Sequence, residues 1–208
     1  MSTYSPDLRI ELITTGDQAG TWGTTTNANL AYVIEQAVAG YISVAVASAN
    51  QALTYLNGGS AVAADNQSVH AAIALTTSTG ANFAVYAPPA SKLYTIYNAS
   101  SYTATIYNST VIGNTTAAGT GVVVPAGKVM SVWSDGTNFA VQNSHIIGTV
   151  VGNVTGNLTG NVTGNVSGSA GSLTTTNWTV EESGGLLLFK YGGVTKFTMD
   201  QTNGFIAA

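Results

Sequence analysis

Gly148–Gly168 reads GTVVGNVTGNLTGNVTGNVSG, with glycine recurring at 148, 152, 156, 160, 164 and 168. A glycine in every turn excludes helix, and a period of four matches neither the collagen triplet nor the coiled-coil heptad. In an extended chain successive side chains alternate faces, so Val150, Val154, Leu158, Val162 and Val166 share one face with the glycines while Asn and Thr take the other. That apolar face is half empty, and one such strand has too little to bury. The run therefore reads as a stalk in which identical chains intertwine, the glycines admitting close backbone approach. Fully extended, it would span roughly 65 Å at about 3.3 Å per residue. The alternative is a solvated Gly/Asn/Thr linker, and the strict placement of the aliphatics argues against it.

Composition points the same way. Of 208 residues only 7% are charged, against 45% hydrophobic, with 24 glycines and a net charge of −4. Ordinary soluble domains are about a quarter charged, so a surface of Thr, Ser, Asn and Gly suits β-structure in a low-charge assembly. The acidic balance offers no footprint for nucleic acid. The absence of cysteine removes disulfides and thiol chemistry. No apolar run is long enough for a membrane helix, and residues 1–18 lack the basic flank and apolar core of a secretory signal. Synthesis in a cytoplasm is the expectation, with no membrane insertion.

Outward from the repeat, the chain reads as mainly β in four parts. Residues 1–40 hold a strand at Leu8–Ile13 and a helix. The helix would be capped by Thr25, Thr26 or Asn27, would bury Leu30, Val33, Ile34, Ala37 and Val38, and would end at Gly40. Trp22, between Gly20 and Gly23, reads first as an aromatic packed on that helix and second as a docking residue. Residues 41–145 carry nine short candidate strands at sandwich-like spacing, at 41–47, 52–56, 69–76, 82–87, 92–98, 102–108, 120–124, 127–134 and 137–142. Apolar groups on both faces of 92–98 predict a central, buried strand. The repeat stalk occupies 146–172. Residues 173–208 form a small β-meander tip in which Gly192-Gly193 makes a hairpin pairing Tyr191 with Val194. Counting back evenly, Leu188 meets Phe197 and Leu186 meets Met199, and these four share one face as the tip core. So few residues cannot build an independent core; copies of the chain or another protein must complete it.

Catalytic chemistry has little to work with. His70 and His145 are the only histidines and lie in no metal-ligand spacing, so each reads as a surface or turn residue. The adjacent Glu181 and Glu182 point to opposite faces of a strand, and Asp65, Asp135 and Asp200 sit beside turns, where Asp caps its own backbone. Neither a nucleophile elbow nor a phosphate loop is present. The expectation is a protein without enzymatic activity, metal or cofactor.

The run YSPDLRIELITTGDQAGTWGTTTNANLAYVIEQAVAGY, at 4–41, resembles the opening of a family of virion proteins of tailed bacteriophages, common among marine phages. AVYAPPASKLYTIYNASS and VVVPAGKVMSVWSDGTNFA are similar to its β-domain. The GNVTG repeats and WTVEESGGLLLFKYGGVTKFTMDQTNG resemble the shaft and tip of tail or head fibres. The resemblance implies a structural role in the virion as a homotrimer. Residues around Trp22, Asn27, Asn29 and Leu30 would attach it to other virion proteins, a tail adaptor or nozzle or the capsid. Its free end would contact a host-surface glycan or protein. It implies a short tail fibre first, a head fibre or capsid decoration protein second, and a glycan-depolymerising spike last.

Overall fold

The computed structural model describes residues 3–143, 172–174, 177–200, 202 and 204–207. The mainly β expectation holds, and the chain divides into two units, 1–149 and 150–208. The stalk positions Val150, Val154, Leu158, Val162 and Val166, and His145, lie outside the described residues.

In the first unit β1 (Thr3–Tyr4) pairs with β2 (Glu11–Leu12), a shorter strand than Leu8–Ile13 suggests. A helix follows through Trp22–Asn29, a π turn at Leu30–Ile34 and Glu35–Ala39. It starts at the N-cap Thr21, ahead of the expected caps, because its first turns are polar and leave no apolar periodicity to read. Gly40 closes it in an extended conformation, where a Cβ would meet the Gln36 carbonyl oxygen at 2.6 Å. Of the anticipated stripe only Val33 is buried, while Leu30, Ile34 and Val38 face outward.

Eight of the nine strands expected between 41 and 145 are present within a few residues at their ends, and the ninth, expected at 52–56, lies at Asn50–Ala52 and shares only Ala52 with it. They are β3 (Tyr41–Val46), β4 (Asn50–Ala52), β5 (Ala72–Thr77), β6 (Phe83–Ala87), β7 (Ser91–Asn98), β8 (Ala104–Asn108), β9 (Val122–Val124), β10 (Val129–Asp135) and β11 (Phe139–Val141). A 3₁₀ segment at Ala63–Val69 precedes β5.

From β3 to β8 the strands alternate between two sheets as the chain advances. One sheet has the order β11-β10-β7-β5-β3 and the other β4-β6-β8-β9. Within them β3, β5 and β7 run parallel, as do β4, β6 and β8. Parallel neighbours need a crossover, and here each crossover is a strand of the opposite sheet. The links between sheets suit this path. Pro88-Pro89, which lacks two backbone donors and has fixed φ, carries the chain from β6 across to β7 instead of folding it into a hairpin. The pairs β8–β9, β10–β7 and β10–β11 are antiparallel and close the coil.

Alternate residues of both sheets fill the space between them. Val44, Val46, Ile73, Leu75, Tyr94, Ile96 and Val132 meet Leu53, Phe83, Val85, Ile106, Val122 and Val124 in one cluster. Strand β7 is central, as its sequence suggests, but only its inner face is buried; Leu93 and Tyr97 remain exposed on the outer one.

The second unit is one five-stranded antiparallel meander in chain order: β12 (Ser172–Thr174), β13 (Trp178–Ser183), β14 (Leu186–Tyr191), β15 (Val194–Asp200) and β16 (Gly204–Ala207). The Gly192-Gly193 hairpin pairs Tyr191 with Val194 as expected. A bulge then shifts the register, so that Lys190 faces Thr195 but Phe189 faces Phe197 and Leu187 faces Met199. The expected tip core is corrected accordingly. One residue of slip moves a strand's whole side-chain set to the other face, so Leu186 and Leu188 lie opposite in face to Phe197 and Met199.

Candidate functional site

The bulge makes the second unit two-faced. One face carries Trp178, Val180, Leu187, Phe189, Tyr191, Phe197, Met199 and Phe205, by the strand register. Trp178 and Tyr191 meet edge to face at 5.3 Å, and Phe189 and Phe205 at 5.4 Å. The other face carries Thr179, Glu181, Ser183, Lys190, Thr195 and Thr198 together with Leu186 and Leu188, and Glu181 and Lys190 form an ion pair across it. No residue of this unit whose side chain is described is buried, although the apolar face of a sheet ordinarily packs against another layer. The aromatic face is thus complete in chemistry and lacks a second layer among the described residues.

The first unit presents a second apolar surface. Trp22 is 62% exposed and does not pack into the body, which corrects its first reading. Asn27 and Leu30 are also exposed. Asn29 is not, and the structure separates it from the other three: its side chain turns inward to bind the backbone of Glu11. Val38, at the far end of the helix, is 76% exposed and borders a groove of about 490 Å³ with Pro6, Leu8, Ile10 and Leu93. Leu93 pairs with Trp133 and Tyr97 with Val129 on the outer face of the larger sheet. The signal for this patch was present in the alternation of β7, where a strand apolar on both faces reads as doubly buried. Here the outer face has no covering layer.

Titratable groups in the first unit serve the fold. His70, expected at a surface or turn, is 2% exposed, its Nδ1 lies 3.2 Å from the Gln67 carbonyl oxygen, and burial pushes its pKa down. Lys92 donates to the carbonyls of His70 and Leu93 and lies 3.9 Å over the Tyr94 ring, and burial lowers its amine to about 7. Asp7 accepts from the Ser91 amide at 2.8 Å, and Asp135 accepts from the amides of Thr137 and Asn138 in a tight turn. Those amides hold the Asp135 carboxyl below its usual range. Among the described residues no three His, Asp or Glu side chains gather as metal ligands, and no helix is long and apolar enough to cross a membrane.

No family model, curated protein or solved structure matches the chain. Its surfaces must be read on their own chemistry.

Proposed function

We propose that the chain is a non-enzymatic structural protein of a tailed-bacteriophage particle. In this reading it is a short fibre of three identical copies, attached to the virion through its N-terminal segment, at the tail in preference to the head, and contributing to adhesion at the host surface. The carrying observation is the C-terminal sheet, whose aromatic face has no covering layer among the described residues. The covering layer in this reading is the same face of other copies. That face is mostly apolar, its charged residues being Glu182 at one end and Lys196 beside Trp178, Tyr191 and Phe197, and a symmetric assembly would set it against the same face of its copies. The Gly-Asn-Val-Thr repeat asks for copies independently, through its half-empty apolar side. Attachment is assigned to exposed Trp22, Asn27, Leu30, Ile34 and Val38, whose partner is another particle protein. The non-enzymatic reading draws support from carboxylates already committed to structure, Asp7 and Asp135 to turn and loop amides and Glu181 to Lys190.

Sedimentation equilibrium of the full chain tests the assembly. The expected mass is about three times 21.1 kDa, and Phe189→Asp, which places like charges together in an apolar layer, should lower it. A monomer at micromolar concentration would overturn the fibre. In the repeat, Leu158→Asp should weaken the oligomer and Asn157→Asp should not; equal small effects would make the repeat a linker. Electron micrographs of particles with and without the protein distinguish a tail fibre from a head fibre or capsid decoration.

A further inference from the structure

The two faces of the C-terminal sheet treat their charges differently. On the polar face Glu181 and Lys190 sit on adjacent strands and pair with each other. On the aromatic face Glu182 and Lys196 also carry opposite signs, but neither side chain has a hydrogen-bond or ion-pair partner among the described residues. They do not meet within the chain. Glu182 lies on β13 opposite Leu187, which in turn lies opposite Met199, and Lys196 is three residues before Met199 on β15. Two strand spacings, about 10 Å, and a further length of β15 separate them.

Their placement gives the face a direction. Glu182 is on the second strand of the sheet and Lys196 on the fourth, so they flank the central strand β14, which brings Leu187, Phe189 and Tyr191 to the apolar middle. One flank is therefore acidic and the other basic, and both residues are exposed. Lys196 lies among Trp178, Tyr191 and Phe197, where a lysine stem packs on the rings while its amine reaches outward. In a ring of identical copies each one meets its two neighbours through different flanks. Acidic flank then meets basic flank at every junction, whereas an arrangement of like flank on like flank sets like charges together.

We propose that the copies close around the C-terminal sheet with Glu182 of one chain paired to Lys196 of the next. This rests on the reading of the aromatic face as the surface between copies. The apolar middle supplies the contact and the charge pair sets its register, since charges across an interface fix orientation more than affinity. Three copies make three such pairs.

A zero-length carbodiimide cross-linker, which condenses a carboxylate and an amine in direct contact to an amide with loss of water, tests the pairing on the full chain. Denaturing gels should show bands at two and three times 21.1 kDa. Mass spectrometry should find the link between residues 182 and 196 in those bands, and Glu182→Gln or Lys196→Gln should abolish it. The chain has no cysteine, so the double variant Glu182→Cys, Lys196→Cys gives a second reading. Oxidation should join its chains into covalent trimers, while either single variant stays unlinked; within one chain the two positions are too far apart for a disulfide. Sedimentation before cross-linking separates the failures. A trimer that forms neither link overturns the pairing and leaves the fibre reading standing, whereas a monomer overturns both. Covalent dimers alone, at complete oxidation, would place the copies on a two-fold axis and overturn the ring.

Discussion

The side chain of Asn29 pairs with the backbone of Glu11 as a neighbouring strand would: its Oδ1 accepts from the Glu11 amide at 3.0 Å and its Nδ2 donates to the Glu11 carbonyl at 2.8 Å. One helical residue therefore holds β2, and through it β1, against the body. Asn29→Ala removes both bonds and should destabilise this corner by roughly 1–3 kcal/mol. Hydrogen exchange should report it as faster exchange at residues 3–12 with little change in β7 or β8. Equal protection in the variant would show that the loop bonds at Arg9 and Asp7 suffice.

Alkaline pH should first strengthen and then weaken the first unit. The folded Lys92 amine, at about 7, lies below its unfolded value near 10.5. Between those values the unfolded chain binds more protons, so stability rises with pH, at up to about 1.4 kcal/mol per pH unit. Burial raises the phenols of Tyr55 and Tyr94, with the Arg9 charge opposing and the Asp7 charge adding at Tyr55. Above about 10 the unfolded phenols ionise first, and stability falls. Urea titrations from pH 7 to 11 should give a maximum near 10, and Lys92→Met should flatten the rising limb.

Deleting Lys196 should remove the bulge and leave the aromatic face whole. Thr195 faces Lys190 and Phe197 faces Phe189, so without Lys196 both pairs fall into one regular register, with Leu187 still opposite Met199. The near-ultraviolet circular dichroism of the Trp178–Tyr191 contact and self-association should both survive the deletion. Loss of either would show that Lys196 itself holds the face together.

Core and outer surface should respond differently to truncation. Ile106 is fully buried between the sheets, and Ile106→Ala should cost about 2–5 kcal/mol. Tyr97→Ser removes an outward side chain and should stay within about 0.5 kcal/mol in the isolated protein. Denaturant midpoints compare the two directly; a large loss at Tyr97 would mean that its face is covered by another copy.

Turn signals between short apolar runs located the strands from Tyr41 to Val141 except β4, which lies at Asn50–Ala52 and not at 52–56, because a strand with one buried face writes its inner residues into the chain. The pairing direction was not legible. Val44 or Ile96 alternates inward identically in a parallel or an antiparallel neighbour, and the choice rests on where links such as Pro88-Pro89 lead. The helix start was hidden by its polar first turns, and the Lys196 bulge by a hairpin that looks symmetric around Gly192-Gly193. Asn29 and Asn66 carried no local signal, since their partners, Glu11 and Leu56, are 18 and 10 residues away.

The alternation of strands between two sheets makes the first unit divisible into repeating lengths. A strand in one sheet followed by a strand in the other is one complete circuit, and β5 with β6, from Ala72 to Ala87, is such a circuit. Excising a whole circuit with its link would bring β4 directly before β7 and leave every remaining strand in its own sheet with the same residues inward. Excising a single strand would send every later strand to the wrong side. The domain can therefore grow or shrink along the coil only in whole circuits, and its height is a quantity that insertion and deletion can tune without redesigning its interior.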